Sequence, residues 1–140
     1  MTYGTSLEEP VDEVKIHSGT QIKLKRVAEE DIPHAFLERL QEIAHREETV
    51  QAVYLFAIEV PGRGEQISLA LAVKTGLFRK SDEEFMRLVD EIQLILPEDL
   101  PLNLYRLDSS PPVARYCLEH LEPVYLRSAA WREKQLKKLG

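Results

Sequence analysis

Residues 50–60 read VQAVYLFAIEV, and a second apolar run follows over residues 66–74 after Pro-Gly-Arg-Gly-Glu. Runs of β-branched, aromatic and small apolar residues bounded by turn formers are the pattern of two paired strands. Pairing Val60 with Gln66 across a five-residue turn sets Ile58 opposite Ser68, Phe56 opposite Ala70 and Tyr54 opposite Ala72. Val53, Leu55 and Ala57 then oppose Val73, Leu71 and Leu69 on the other face. One face is aliphatic, and the other sets large aromatics beside small residues. This is packing information, and it says more about a fold than about chemistry.

Two short stretches, 14–16 and 22–25, alternate apolar with polar residues around Ser18-Gly19 and predict half-buried strands. A helix is predicted over 33–46, with Asp31 as cap, Pro33 in the first turn and Phe36, Leu40, Ile43 and Ala44 on one face. Glu42 and Arg46 are spaced as an i,i+4 pair. The run Ser81-Asp82-Glu83-Glu84 is a capping box, and Phe85, Leu88, Val89, Ile92 and Leu96 form the apolar stripe behind it. A strand over 102–107, a helix over 111–120, an extended piece over 123–126 and a basic helix over 129–139 complete the chain. Between 22 and 107 the order is strand, helix, strand, strand, helix, strand. That order predicts an α+β fold, an antiparallel sheet with two helices on one face in the ferredoxin-like split β-α-β arrangement, plus a C-terminal extension. It leaves Tyr54, Phe56 and Ile58 on an open face, to be covered by residues 125–139 or by a second molecule; the chain's own tail is the preferred cover.

With 140 residues the chain suffices for one domain and is too short for two with separate cores. The expected layout is an acidic flexible segment over 1–13, a domain over 14–127 and a basic helix over 128–140. The apolar run at 52–58 is far too short to span a bilayer, so no membrane residence is expected. An acidic start without an apolar run argues against a secretory signal, and Cys117, the single cysteine, has no internal disulfide partner. Both point to the cytoplasm. A net charge of -6 argues against nucleic acid as partner. The tails are opposite in sign: Glu8, Glu9, Asp12 and Glu13 at one end, and Arg127, Arg132, Lys134, Lys137 and Lys138 against Glu133 at the other.

The segment ETVQAVYLFAIEV, with Val50, Ala52, Tyr54 and Leu55, and the ending LYRLDSSPPVARYCLEHLEPVYLR, with Leu107-Asp108, Tyr116 and Pro123-Val124-Tyr125-Leu126-Arg127, carry a family pattern. Over residues 19–127 the chain resembles the C-terminal domain of the SseB family, named for enhanced serine sensitivity. It departs from the family over residues 26–32, which are acidic where a Gly-x-Pro step is expected. The resemblance implies a bacterial cytoplasmic protein and supplies no catalytic residue to carry over.

Asp108, Ser109, Ser110 and His120 contain the residue types of a hydrolytic triad, but no nucleophile-elbow glycines surround either serine. Capping of the helix that starts at Pro111 accounts for them more simply. Cys117 and His120 have the spacing of two metal ligands, yet a structural zinc site needs four, and His17, His34 and His45 lie in separate elements. Cys117 therefore reads as a buried apolar residue. Gly62-Arg63-Gly64 lies between strands and lacks the lysine of a phosphate loop. Arg106, Asp108, Arg115, Tyr116, Tyr125 and Arg127 form the polar cluster that stands out, either as a recognition surface or as an internal network in which Asp108 pairs with Arg115 or Arg127. Trp131, Leu136 and Leu139 give the terminal helix an apolar stripe for docking. The expectation is a non-catalytic protein-binding or regulatory domain without cofactor or metal, acting on a protein partner or as a homodimer. Its interaction or structural residues would be Tyr54, Phe56 and Trp131 together with that cluster. The alternatives are an immunity-type inhibitor that blocks a toxin with an acidic surface, and a small enzyme whose site assembles only in the fold.

Overall fold

The computed structural model describes residues 12–15, 21–74 and 81–139. The elements are β1 (Asp12–Lys15), β2 (Gln21–Lys25), a 3-10 turn (Glu29–Asp31), α1 (His34–Arg46), β3 (Val50–Val60) and β4 (Gly64–Val73), then α2 (Ser81–Ile95) and β5 (Leu102–Arg106). A second 3-10 turn (Leu107–Ser109), α3 (Pro111–His120), β6 (Tyr125–Leu126) and α4 (Ala129–Leu139) follow. Of the expected acidic segment, Asp12 and Glu13 open β1. Residues 1–11 and the Ser18-Gly19 turn lie outside the described residues.

The α+β class stands. The sheet is mixed rather than wholly antiparallel: its order is β1-β2-β3-β4-β5, with β6 pairing β3, and β4 and β5 run parallel. The strands thus follow sequence order where a ferredoxin-like interleaving was expected. Both arrangements have the same succession of strands and helices along the chain, so hydrophobic periodicity does not separate them. Helix α2 serves as the crossover that parallel neighbours require.

The hairpin closes more tightly than the pattern suggested. Val60 pairs with Gly64, so Tyr54 faces Ala70, Leu55 faces Leu69 and Phe56 faces Ser68, a register two residues from the expected one. The Arg63 amide donates to the Val60 carbonyl at 3.0 Å, with Pro61 and Gly62 between them. Gly62 has φ +80, the left-handed value required at the third position of a type II turn with proline before it. A slip of two residues leaves every side chain on its own face, which is why the apolar pattern fixed the faces and left the partners open. Farther along, the register shifts between Val50 and Ala52, and these residues of equal parity join opposite layers of the core.

Helices cover both faces. On one side α1 and α2 bring Phe36, Leu40, Ile43, Leu88 and Ile92 onto Val53, Leu69 and Leu71. On the other, Val113, Tyr116, Cys117 and Leu118 of α3 pack on Tyr54, Phe56 and Ile58, flanked by Trp131, Leu136 and Leu139 of α4. The chain therefore covers its own aromatic face, as preferred, but mainly with α3. Tyr125 and Val124 pack against the other layer. Helix α1 starts at His34 after Pro33, and its expected cap, Asp31, sits in the 3-10 turn instead.

Candidate functional site

The singled-out polar residues do not converge on one place. Arg106 forms a fork with Asp108, at 3.1 and 3.0 Å, and also binds Asp82 at the start of α2. Asp108 thus pairs with neither Arg115 nor Arg127. Arg115 donates to the Leu139 carbonyl at 2.7 Å, at the end of α4. Arg127 donates to the carbonyls of Ala44 and Glu47, each at 2.9 Å, and through Nε to Val50 at 2.8 Å, closing the end of α1. Its guanidinium carbon stands 5.4 Å from the Tyr125 ring centre, in cation–π range. Arg132, which the sequence marks only as part of the basic tail, donates to the carbonyls of Leu118 and Leu121 at the end of α3.

Three arginines therefore satisfy orphan carbonyls at three helix C-termini. Glu47 and Leu121, the C-cap residues of α1 and α3, are not glycine, so a cation replaces the left-handed cap as the local solution. Tyr54, Phe56 and Tyr116 are fully buried, and Trp131 packs at the core's margin. They are structural in this fold.

The triad-like set is dispersed among other partners. Ser109 Oγ donates to the Arg106 carbonyl at 2.7 Å, and His120 stacks obliquely at 5.4 Å from the Tyr116 ring. Ser110 occupies the N-cap of α3 as expected but makes no side-chain cap bond. Pro112, at the second helical position, lacks one of the two N–H groups from which a cap side chain accepts. Cys117 is fully buried, and burial pushes its thiol up to about 12. No group of three metal-binding side chains occurs among the described residues.

A concave site lies elsewhere, at a break in the sheet. Along one edge of β3, β2 pairs with Ala57, Ile58 and Glu59, whereas β6 pairs with Ala52 and Val53. Among the described residues no strand pairs with Tyr54, Leu55 and Phe56 on this edge. A cleft of about 550 Å³ opens there, floored by Val27, Ile32, Leu37, Leu55, Leu121 and Val124. Arg26, Gln41 and Glu122 stand among its polar lining residues. Two bonds join its walls: Arg26 to the His120 carbonyl at 3.2 Å, and Gln41 to the Val124 carbonyl at 2.9 Å. The volume falls in the range of ligand sites. The sequence held no signal for it, because it arises where two distant segments stop pairing with the same strand.

Helix α2 and the segment after it are rich in acidic residues: residues 81–110 carry eight carboxylates, of which Asp82 and Asp108 pair with Arg106, Glu84 with Arg87 and Glu91 with Arg46. Met86 and Leu94 of α2 are 55% and 86% exposed, and Tyr105 on the edge strand β5 is 38% exposed. Among the described residues no helix is long and apolar enough to cross a membrane.

A family model described as SseB protein C-terminal domain matches residues 16–127. No curated protein and no solved structure matches the chain.

Proposed function

Because the chain belongs to the SseB protein C-terminal domain family, we propose a non-catalytic role for it: a protein-binding or regulatory domain of the bacterial cytoplasm that acts through protein–protein contacts. The cleft beside Leu55 supports this reading. It is concave, its floor is apolar, and its lining residues contain no nucleophile paired with a base. Such a site suits recognition better than bond chemistry. Leu37→Asp places a charge on its floor from the partly buried face of α1. The expected result is that the wild-type chain holds a partner protein in stoichiometric amount, and that this variant, still folded, releases it. Retention of every partner by the variant would sink the reading.

The acidic segment favours a second reading, an inhibitor of a basic toxin. Carboxylates on and after α2 lie close in sequence to exposed Met86 and Leu94, and opposite charge would accelerate capture of a cationic partner. Asp90→Lys should then slow association with that partner and weaken its salt dependence, while Leu37→Asp leaves both unchanged.

A further inference from the structure

The break in the sheet has a specific shape. The carbonyls of Gln51 and Val53 accept from the amides of Arg127 and Val124 on this edge. Successive residues of a strand turn their amide groups to opposite edges, so Leu55 presents its N–H and C=O to the same side as Val53. Val53 is met by β6 and Ala57 by β2, and Leu55 between them meets neither. Its side chain belongs to the layer of α1, as do those of Val27, Leu37 and Val124, and all four residues line the cleft.

We propose that this cleft binds a short extended peptide segment of a partner protein, one residue of which completes the ladder at Leu55. The proposal rests on the protein-binding reading and names what the site takes. An unpaired strand edge is a template for backbone pairing. The interval from Val53 to Ala57 is only about 14 Å at strand rise, and strands occupy both ends of it. That room excludes a long added strand and fits a chain that enters, pairs with one residue and leaves. A residue directly opposite Leu55 shares its face, so its side chain enters the floor of Ile32, Leu37 and Val124 and should be apolar. Arg26 and Glu122 carry opposite charges among the lining residues, so the complementary segment is one without strong net charge.

The test is a pool of random hexapeptides, capped at both ends, screened against the full chain, with amide hydrogen exchange read at Val53, Leu55 and Ala57. In the free protein the Leu55 amide should exchange at least about tenfold faster than the other two. Enriched peptides should share one apolar position, slow Leu55 exchange on binding, and lose at least about tenfold in affinity when that position is N-methylated. The fold of Leu37→Asp is checked by its amide spectrum, and it should not bind them. A Leu55 amide as protected as its neighbours in the free protein overturns the proposal whatever the variant does. Peptides that bind while perturbing only Met86, Asp90 and Leu94 overturn it too, yet leave the protein-binding reading standing. An unenriched pool also overturns it, while partner retention by wild type and Leu37→Asp judges the broader reading independently.

Discussion

Arg127 holds Val50 in place: its Nε donates to the Val50 carbonyl at 2.8 Å while its terminal nitrogen reaches the carbonyls of Ala44 and Glu47. One side chain thus joins the end of α1, the start of β3 and the chain leaving β6.

Substituting it should be costly although the residue is exposed. Arg127→Ala leaves several carbonyls at a helix C-terminus without their donor and should destabilise the fold by about 2 kcal/mol or more. Arg127→Lys should recover less than half, since a single ammonium cannot span carbonyls on two elements. Urea unfolding of both variants checks this, and equal midpoints for wild type and Arg127→Ala would remove the role.

The legibility of the chain divides along the same line. Phe36, Leu40, Ile43 and Ala44, read as one helical face, are the buried residues of α1, because periodicity reports burial directly. Tyr125 and Arg127 were legible as a motif, but the work of Arg127 was not, because the α1 carbonyls it serves lie about eighty residues earlier in the chain. The cleft was illegible for a related reason. It is defined by where β2 and β6 cease to pair with β3, and pairing limits between distant segments leave no periodic trace. The parallel β4–β5 pair escaped because element order is silent on strand direction.

Leu71 is 2% exposed, opposite Val53 in the layer under α1 and α2. Leu71→Ala should cost about 2 to 5 kcal/mol in denaturant unfolding, through lost burial and the cavity it leaves. A cost below about 1 kcal/mol would be a surface value and would contradict its place in the core.

Alkaline pH should weaken the fold through two groups of the opposite layer. Burial pushes the Cys117 thiol from 9.0 up to about 12 and the Tyr54 phenol from 10.0 up to about 12. Both acids are neutral when folded and ionise sooner when unfolded, so the unfolded state holds fewer protons above pH 9. Their contribution is complete below about pH 9 and falls away toward pH 12. Stability measured across that window should decline, and Tyr54→Phe should flatten the decline from about pH 10 upward. The Tyr54 hydroxyl is buried and has no hydrogen-bond partner among the described residues. At neutral pH the same variant should therefore change stability by less than about 1 kcal/mol or raise it. A larger loss, with an unchanged alkaline limb, would show that the hydroxyl is satisfied in solution.

Removal of residues 128–140 should uncover the margin of the aromatic layer. The deletion takes away Trp131, Leu136 and Leu139, which pack on that layer, and Arg132, which closes the end of α3. It also strips Arg115 of its Leu139 partner. Helix α3 would still cover Tyr54 and Phe56, so the truncated chain should fold with reduced stability, bind a hydrophobic dye and associate at rising concentration. Phe56→Glu should behave differently. Phe56 is wholly buried, so a charge there has no solvent to reach and should unfold the domain rather than disrupt an interface between copies. Lys137→Ala and Lys138→Ala, at exposed positions of α4, should shift stability by no more than about 0.5 kcal/mol and provide the comparison. Light scattering and thermal unfolding read all four chains. A truncated chain that stays monomeric, ignores the dye and melts with the wild type would show that α4 contributes nothing to covering the sheet.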